Sequence, residues 1–475
     1  MASERKKVVI VGGGITGLTA AFYLQKEIKQ KQLPIDVSLI EAKLHLGGKI
    51  KTVSRDGFVI ETGPDSFLER KKSAVQLVKD VGLGDRLVNN DVGQSFVLVR
   101  GKLNPIPKGA VMGIPTNIAP FVTSGLFTLT GKLRASFDFF LPARKVEGDQ
   151  SLGGFFERRF GKEVVENLIE PLLSGIYGGD IYHLSLMSTF PQFYEIEQRH
   201  GSLILGMKKQ TPKTNQKHEP KRKKGIFQTV TSGLQSVVEA LEERLDLVKI
   251  KKGIKVSNIE KTGAIYQLEL SDGTVETADA VVVATPHYVI PSLFPNEKES
   301  LAYFEKMPAT SVATVAMAFP EEAVPLSVNG TGFVVSRNSG FTITACTWTN
   351  KKWPHTAPKG KALLRAYVGK PGDGAVVDQP DEVIVKTVLD DLNRITPIKG
   401  DPLFSVVTRL KEAMPQYIVG HKENIRNVKT IMAEKYPGIF LTGASFQGIG
   451  IPDCIDQGKE AVRDVLQFFN MERQA

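Results

Sequence analysis

Three glycines, a carboxylate and a glycine pair near the start of the chain have the spacing of a nucleotide-binding device. Gly12, Gly14 and Gly17 form a Gly-x-Gly-x-x-Gly run directly after the apolar segment Val8-Val9-Ile10-Val11. In such a run the first glycine makes the tight turn out of a strand and the second lets backbone approach a pyrophosphate. The third lets the following helix pack closely on the sheet. The helix expected from 15 to about 29 would aim its N-terminus, with roughly half a positive charge, at that pyrophosphate. A second strand, about 37–40, ends at Glu41, 24 residues after Gly17. A carboxylate there binds ribose hydroxyls and repels a 2′-phosphate, which disfavours NADP. The doublet Gly47-Gly48 then favours FAD over NAD, because adjacent glycines let backbone run against the phosphates and the flavin end.

Other elements must hold this device together. Residues 233–245 read as a helix and lead into a strand near 250. From 253 to 285, alternation and the Asp272-Gly273 turn predict a β-meander ending in Val281-Val282-Val283, which returns chain to a dinucleotide-binding sheet. A last strand at 436–443 precedes the turn Gly448-Ile449-Gly450-Ile451-Pro452-Asp453 and a helix at about 454–469. The expected fold class is α/β: a Rossmann-like FAD domain of the amine-oxidase (p-hydroxybenzoate hydroxylase-like) type, assembled from 1–72, 225–295 and 406–475. A mainly helical domain at 73–208 and an α+β substrate domain at 296–405 are inserted in it, with a basic loop at 209–224. Met207 to Gly225 carries eight Lys or Arg against one Glu, which reads as a solvated loop.

Between Lys108 and Lys132 lie 23 residues without a charge. Pro115, Pro120 and Asn117 argue against a spanning helix, leaving a buried helical core or an apolar surface resting on a membrane. Two cysteines, Cys346 and Cys454, form no Cys-x-x-Cys, so a reducing, cytoplasmic setting is expected and a dithiol reductase is disfavoured. The start of the chain runs straight into the first strand, without the apolar run of a signal peptide. The seven histidines show no metal-ligand spacing. A net charge of +10 suits an anionic substrate or membrane; no aromatic interleaving points to nucleic acid.

With no second Gly-x-Gly-x-x-Gly for a nicotinamide coenzyme, reduced flavin would hand its electrons to dioxygen or to a membrane or protein acceptor. No paired carboxylates or nucleophile triad stand out, so no catalytic side chain is assigned and the chemistry centres on the flavin. The run from Glu41 to Lys49 resembles the signature of amine-oxidase-like flavoproteins, with His45 where that signature has arginine; a neutral imidazole is the weaker phosphate partner. Gly63-Pro64-Asp65-Ser66-Phe67-Leu68-Glu69-Arg70-Lys71-Lys72, the stretch from Glu170 to Asp180, Met414-Pro415-Gln416-Tyr417 and the turn at 448–453 resemble the protoporphyrinogen/coproporphyrinogen oxidase family, most closely its soluble Gram-positive type. The likeness runs essentially end to end.

The resemblance implies oxidation of a porphyrinogen to a porphyrin in haem biosynthesis, by non-covalent FAD and dioxygen with release of hydrogen peroxide. Coproporphyrinogen III is the expected substrate and protoporphyrinogen IX the alternative. It implies FAD contacts at Gly12, Gly13, Gly14, Ile15, Thr16, Gly17, Glu41, Ala42, Gly48, Lys49, Gly63, Pro64, Asp65 and Ser66. Val256 would meet adenine through its backbone, and Ile449, Gly450 and Ile451 the flavin ring. Lys71 would stand at the substrate mouth, with Ile176 and Tyr367 lining the cavity, although an exposed lysine and two core residues describe these three nearly as well. Covalent flavin attachment at Cys454 is disfavoured. Expected partners are the porphyrinogen, dioxygen, downstream haem-pathway enzymes in transient contact, and the membrane surface. Outside this family stand an amine oxidase or desaturase, and a flavin-bearing porphyrin carrier without turnover.

Overall fold

The computed structural model describes residues 5–210, 224–326, 328–372 and 374–471; most of the basic loop read at 209–224 lies outside them. A five-stranded parallel sheet has the spatial order Val248–Lys252, Ile35–Glu41, Lys6–Val11, Ala280–Val283 and Ile439–Leu441, with near-continuous apolar runs in its central strands Lys6–Val11 and Ala280–Val283 and alternation toward the Val248–Lys252 edge. Such runs belong to strands covered on both faces. All four residues of Ala280–Val283 are buried, as are Val8 to Val11 in the first strand. The helix α1 (Ile15–Lys31) leaves the first strand through the glycine turn, and the meander Val256–Thr262, Ile265–Leu270 and Val275–Ala278 feeds Ala280–Val283.

A second sheet has seven strands, in order Phe404–Pro415, Ala309–Pro320, Lys361–Val368, Ile343–Trp348, Gly330–Val335, Gln94–Val99 and Lys102–Pro105. Its side chains alternate between two cores, as the period of a strand demands. Ala362, Leu364, Ala366 and Val368 pack with Ile384, Val388 and Leu392 of the helix Asp381–Asn393. Leu363 points the other way, onto Phe58 and Ile60 of the hairpin Thr52–Arg55/Phe58–Glu61. This second face looks toward the parallel-sheet region.

Three features differ from or add to the expected division. The stretch 73–208, expected to be mainly helical, also carries strands: Gln94–Val99 and Lys102–Pro105 form one edge of the seven-stranded sheet, pairing with Gly330–Val335. These two short strands lack the length to form a sheet alone and are completed by partners more than two hundred residues away. Residues 404–415 likewise pair with Ala309–Pro320 and extend the seven-stranded sheet, although 406–475 reads as cofactor domain. The uncharged run 109–131 is neither a spanning helix nor a buried helical core. It folds as a two-residue hairpin and the short helices Ile118–Val122 and Leu129–Ser136, because Pro115 and Pro120 interrupt it. Phe121, Leu126 and Phe127 turn inward, but Ile118, Val122 and Leu129 face outward and are at least half exposed. Leu133, Phe137 and Phe140, just after the run, are equally open. Among the described residues no helix is long and apolar enough to cross a membrane.

Candidate active site

The first glycine turn is shaped by close approaches. Gly12 has φ of +105°, and a Cβ there would stand 2.8 Å from the Ala284 carbonyl oxygen. A Cβ on Gly17 would overlap the Gly12 carbonyl oxygen, so only glycine lets α1 cross the strand this closely. Gly14 is different. Its backbone is extended (φ −69°, ψ 176°), and a Cβ would meet nothing within 4 Å. It caps α1 without a side-chain hydrogen bond, so the helix N-terminus opens onto free space. That is a cradle a side chain would fill and a phosphate fits.

The neighbouring motifs close around this opening. Glu41 accepts the Gly13 N–H at 2.6 Å and the Lys43 N–H at 2.8 Å, which fixes its carboxylate beside the turn. The Gly47 N–H donates to the Gly13 carbonyl at 2.8 Å, and Gly14 and Gly47 form an isolated bridge. Gly47 and Gly48 have φ of +99° and +63°, the left-handed conformations that make glycines useful there. Ala42 and His45 are exposed on the intervening loop. Val256 is buried at the start of the meander, two residues after the Ile254 N–H donates to the Glu41 carbonyl at 3.1 Å. Lys49 donates its ammonium to the Ala413 carbonyl, and desolvation lowers its pKa.

A helix near the end of the chain, α3 (Ile451–Phe468), lies against α1 because Gly458 brings it over the Thr16 carbonyl. A Cβ on Gly458 would stand 2.6 Å from that oxygen. This packing sets the start of α3 beside the start of α1, with Gly450 capping α3 without a side-chain hydrogen bond. The α1 N-terminus is open and suits a diphosphate, whereas the first turn of α3 already carries the Asp453 carboxylate beside Gly448 and Gly450. Cys454 is buried in the first turn of α3, and burial pushes its thiol up to about 11.

The substrate-side residues are placed with less uniformity. Lys71 is only partly exposed and forms an ion pair with Asp453 of the α3 turn. It is therefore not a free lysine in a basic run. Ile176 lies in α2 (Glu170–Tyr177) and is 44% exposed, which removes the core explanation; beside it, Gly175 has open space where a Cβ would be. Tyr177, next in α2, is buried against Tyr417 at 5.6 Å between ring centroids. Tyr367 is partly buried on the seven-stranded sheet.

Several participants in this geometry were not singled out from sequence. Asp453 stands in a quoted motif, yet its partner Lys71 is 382 residues away. Arg337 donates to Glu170 at 2.9 Å and to Asp180 at 3.1 Å, bracing the segment that carries Ile176 from both ends. Lys352 pairs at 3.0 Å with Asp65, itself one of the expected FAD contacts. Burial would raise the Asp65 pKa, but Lys352 and Arg365 overcome that and hold the carboxyl well below its usual range. No local pattern announces such pairs. Among the described residues no cluster of ligating side chains suits a metal ion.

Comparison with known proteins agrees with this architecture. The chain is 58% identical over 98% of its length to coproporphyrinogen III oxidase of Bacillus subtilis (strain 168), covering 99% of that protein. It is 47% identical over 97% of its length to coproporphyrinogen III oxidase of Staphylococcus aureus, again covering 99%. A crystal structure from Exiguobacterium sp. 255-15, described as a protoporphyrinogen oxidase, superposes with a TM-score of 0.87 at 39% identity, covering 98% of this chain and 99% of that one. The model of flavin containing amine oxidoreductases matches residues 15–466, from the glycine cradle to the end of α3. With its cradle shaped for FAD and its full length matched, the chain belongs to the flavin containing amine oxidoreductase family.

Proposed function

We propose that the chain oxidises coproporphyrinogen III to coproporphyrin III in haem biosynthesis, with FAD as cofactor and dioxygen as acceptor. The observation that carries this reading is the meeting of the glycine cradle, the α3 N-terminus and the Lys71–Asp453 pair in a chain so similar to coproporphyrinogen III oxidases. Bound FAD would supply two-electron oxidation chemistry, in which hydride leaves a macrocycle carbon, a proton leaves a ring nitrogen and dioxygen ends as hydrogen peroxide, with three such rounds needed for a hexahydro macrocycle. The chain's own residues do the rest. Glu41 and the backbone of the cradle hold the nucleotide end. Ile449, Gly450 and Ile451 present the uncapped N-terminus of α3 to the ring end. Lys71 offers charge to a propionate, and Ile176 and Tyr367 present apolar surface to the macrocycle and exclude water. The protonated Cys454 thiol is a poor nucleophile, in keeping with non-covalent flavin.

Side-by-side turnover of coproporphyrinogen III and protoporphyrinogen IX with dioxygen, followed by porphyrin fluorescence, tests the substrate. The tetracarboxylate should show the higher kcat/KM; a preference for the dicarboxylate overturns the assignment. A colourless protein would remove the flavin reading altogether. Porphyrinogen binding without peroxide release would favour a carrier. Peripheral contact with a membrane is the reading of the apolar edge formed by Leu129, Leu133, Phe137 and Phe140. Phe140→Glu should reduce co-sedimentation with anionic vesicles without changing flavin content; equal sedimentation refutes the contact.

A further inference from the structure

We infer that Arg365 is a positioning residue that ties the cofactor loop 63–66 to the substrate wall, one guanidinium serving both FAD retention and the placement of Tyr367. This rests on the FAD and porphyrinogen reading above.

Arg365 sits in Lys361–Val368, an interior strand of the seven-stranded sheet, paired with Ala316 on one side and Thr347 on the other. Alternation puts residues 363, 365 and 367 on one face, the face that meets the hairpin and loop of the cofactor region. Leu363 fills that face with hydrocarbon, and Ala316 is small enough to leave room for a larger neighbour. Arg365 is only 3% exposed. A buried guanidinium is costly unless polar groups satisfy it, so packing alone does not select this residue type. Its Nη2 donates to the carbonyl of Gly63, and its Cζ lies 5.0 Å from the centre of the Tyr367 ring. The first contact grips the segment matched to FAD; the second grips a residue matched to the substrate cavity.

Neighbouring contacts show that this is a seam between the two regions. The Thr314 hydroxyl, on the adjacent strand, donates to the Thr62 carbonyl at 3.2 Å. Lys352 pairs with Asp65 at 3.0 Å. On its other side the loop is pressed against Lys49, whose carbonyl oxygen a Cβ on Gly63 would overlap. The loop has little freedom to find other partners. Thr314 also stands opposite Tyr367 in the ladder, but among these seam residues Arg365 brings its cation to the Tyr367 ring while donating into the 63–66 loop.

The experiment compares Arg365→Met and Arg365→Lys with the wild type. FAD affinity is read by titrating apo-protein without substrate, KM by turnover of the FAD-saturated enzyme, and folding by melting of the apo-proteins. Methionine keeps bulk but removes the charged donor and the planar cation, so FAD Kd and KM should each rise, the former by about tenfold. Lysine can still donate to Gly63 but cannot stack as a plane, so FAD Kd should return to within about threefold while KM stays raised. Arg365→Met with both constants within about twofold of wild type would overturn the inference, as would a lysine variant indistinguishable from the methionine one. Should Arg365→Met fail to fold, the lysine variant decides. Raised KM with near-native FAD affinity and melting supports the inference, and parallel or absent changes overturn it. Wild-type protein that bound no FAD would instead refute the proposed function itself.

Discussion

The parallel-sheet region and the seven-stranded sheet meet along one seam, yet they are built on different principles. In the first, the parts proposed to hold the cofactor are mostly backbone: glycines at close approaches, helix N-termini without side-chain caps, and one carboxylate held by two N–H groups. In the second, the functional parts are side chains whose positions depend on distant partners, such as Arg365 on Gly63 and Arg337 on Glu170 and Asp180. Backbone sites tolerate little substitution but are rigid. Side-chain sites can change specificity while the nucleotide cradle stays intact.

The sharpest break of this comparison separates two glycines within one turn. Gly14→Val places a side chain where a phosphate would lie, on a position whose Cβ meets no protein atom within 4 Å, so FAD affinity should fall more than about a hundredfold while the apo-protein melts normally. Equilibrium dialysis and calorimetry check this; stoichiometric FAD in the variant would remove the cradle. Gly17→Ala should do the converse and destabilise the fold by about 2–3 kcal/mol through overpacking against Gly12, measured by denaturant unfolding.

Glu61 tests the seam through pH. Burial pushes its carboxyl up to about 7, against the donors Leu234 and Thr52. A carboxyl raised in the folded state holds its proton better there than in the unfolded chain, so its contribution is full below about 4.5 and lost as pH rises through 7. Between pH 5 and 8 the wild type should therefore lose on the order of 2 kcal/mol relative to Glu61→Gln. Parallel stability profiles would show that Glu61 ionises normally.

On the substrate side, Lys71→Ala should raise KM for the tetracarboxylate by about fivefold, on the order of 1 kcal/mol, with a smaller effect on the dicarboxylate. The difference should shrink as salt is added. Because Lys71 already pairs with Asp453, a propionate must share or displace that partner. Equal, salt-insensitive losses on both substrates would make the pair a brace for the α3 turn. The smallest effect is expected at His45, exposed on the loop after Glu41. His45→Arg should tighten FAD by about twofold through a guanidinium contact to the phosphates. An unchanged dissociation constant would show that the side chain does not reach them.

Legibility followed the same division. The helix read at 15 to about 29 is Ile15–Lys31, and the last helix begins at Ile451, three residues before its expected start, because Pro452 suits a first helical turn. The meander and its Asp272-Gly273 turn stand where alternation placed them. By contrast, Gln94–Val99 was hidden inside a stretch read as mainly helical, because its partner strand lies at Gly330–Val335. The exposed positions of Leu129 and Phe140 were equally hidden, since an apolar residue carries no mark of whether a neighbour covers it.

What the sequence made legible by itself was the proposed cofactor cradle: a Gly-x-Gly-x-x-Gly run after an apolar strand, a carboxylate 24 residues on and a glycine pair are a local pattern of residue types, even though Gly12 packs on Ala284 and Gly47 bonds to Gly13 only in the folded chain. Tertiary structure alone decided which charges meet. Lys71 finds Asp453, Lys352 finds Asp65 and Arg365 finds Gly63 across 287 to 382 residues. An ion pair or a buried guanidinium is stable only where packing brings both partners together and excludes water, and that is a property of the folded surface rather than of any segment.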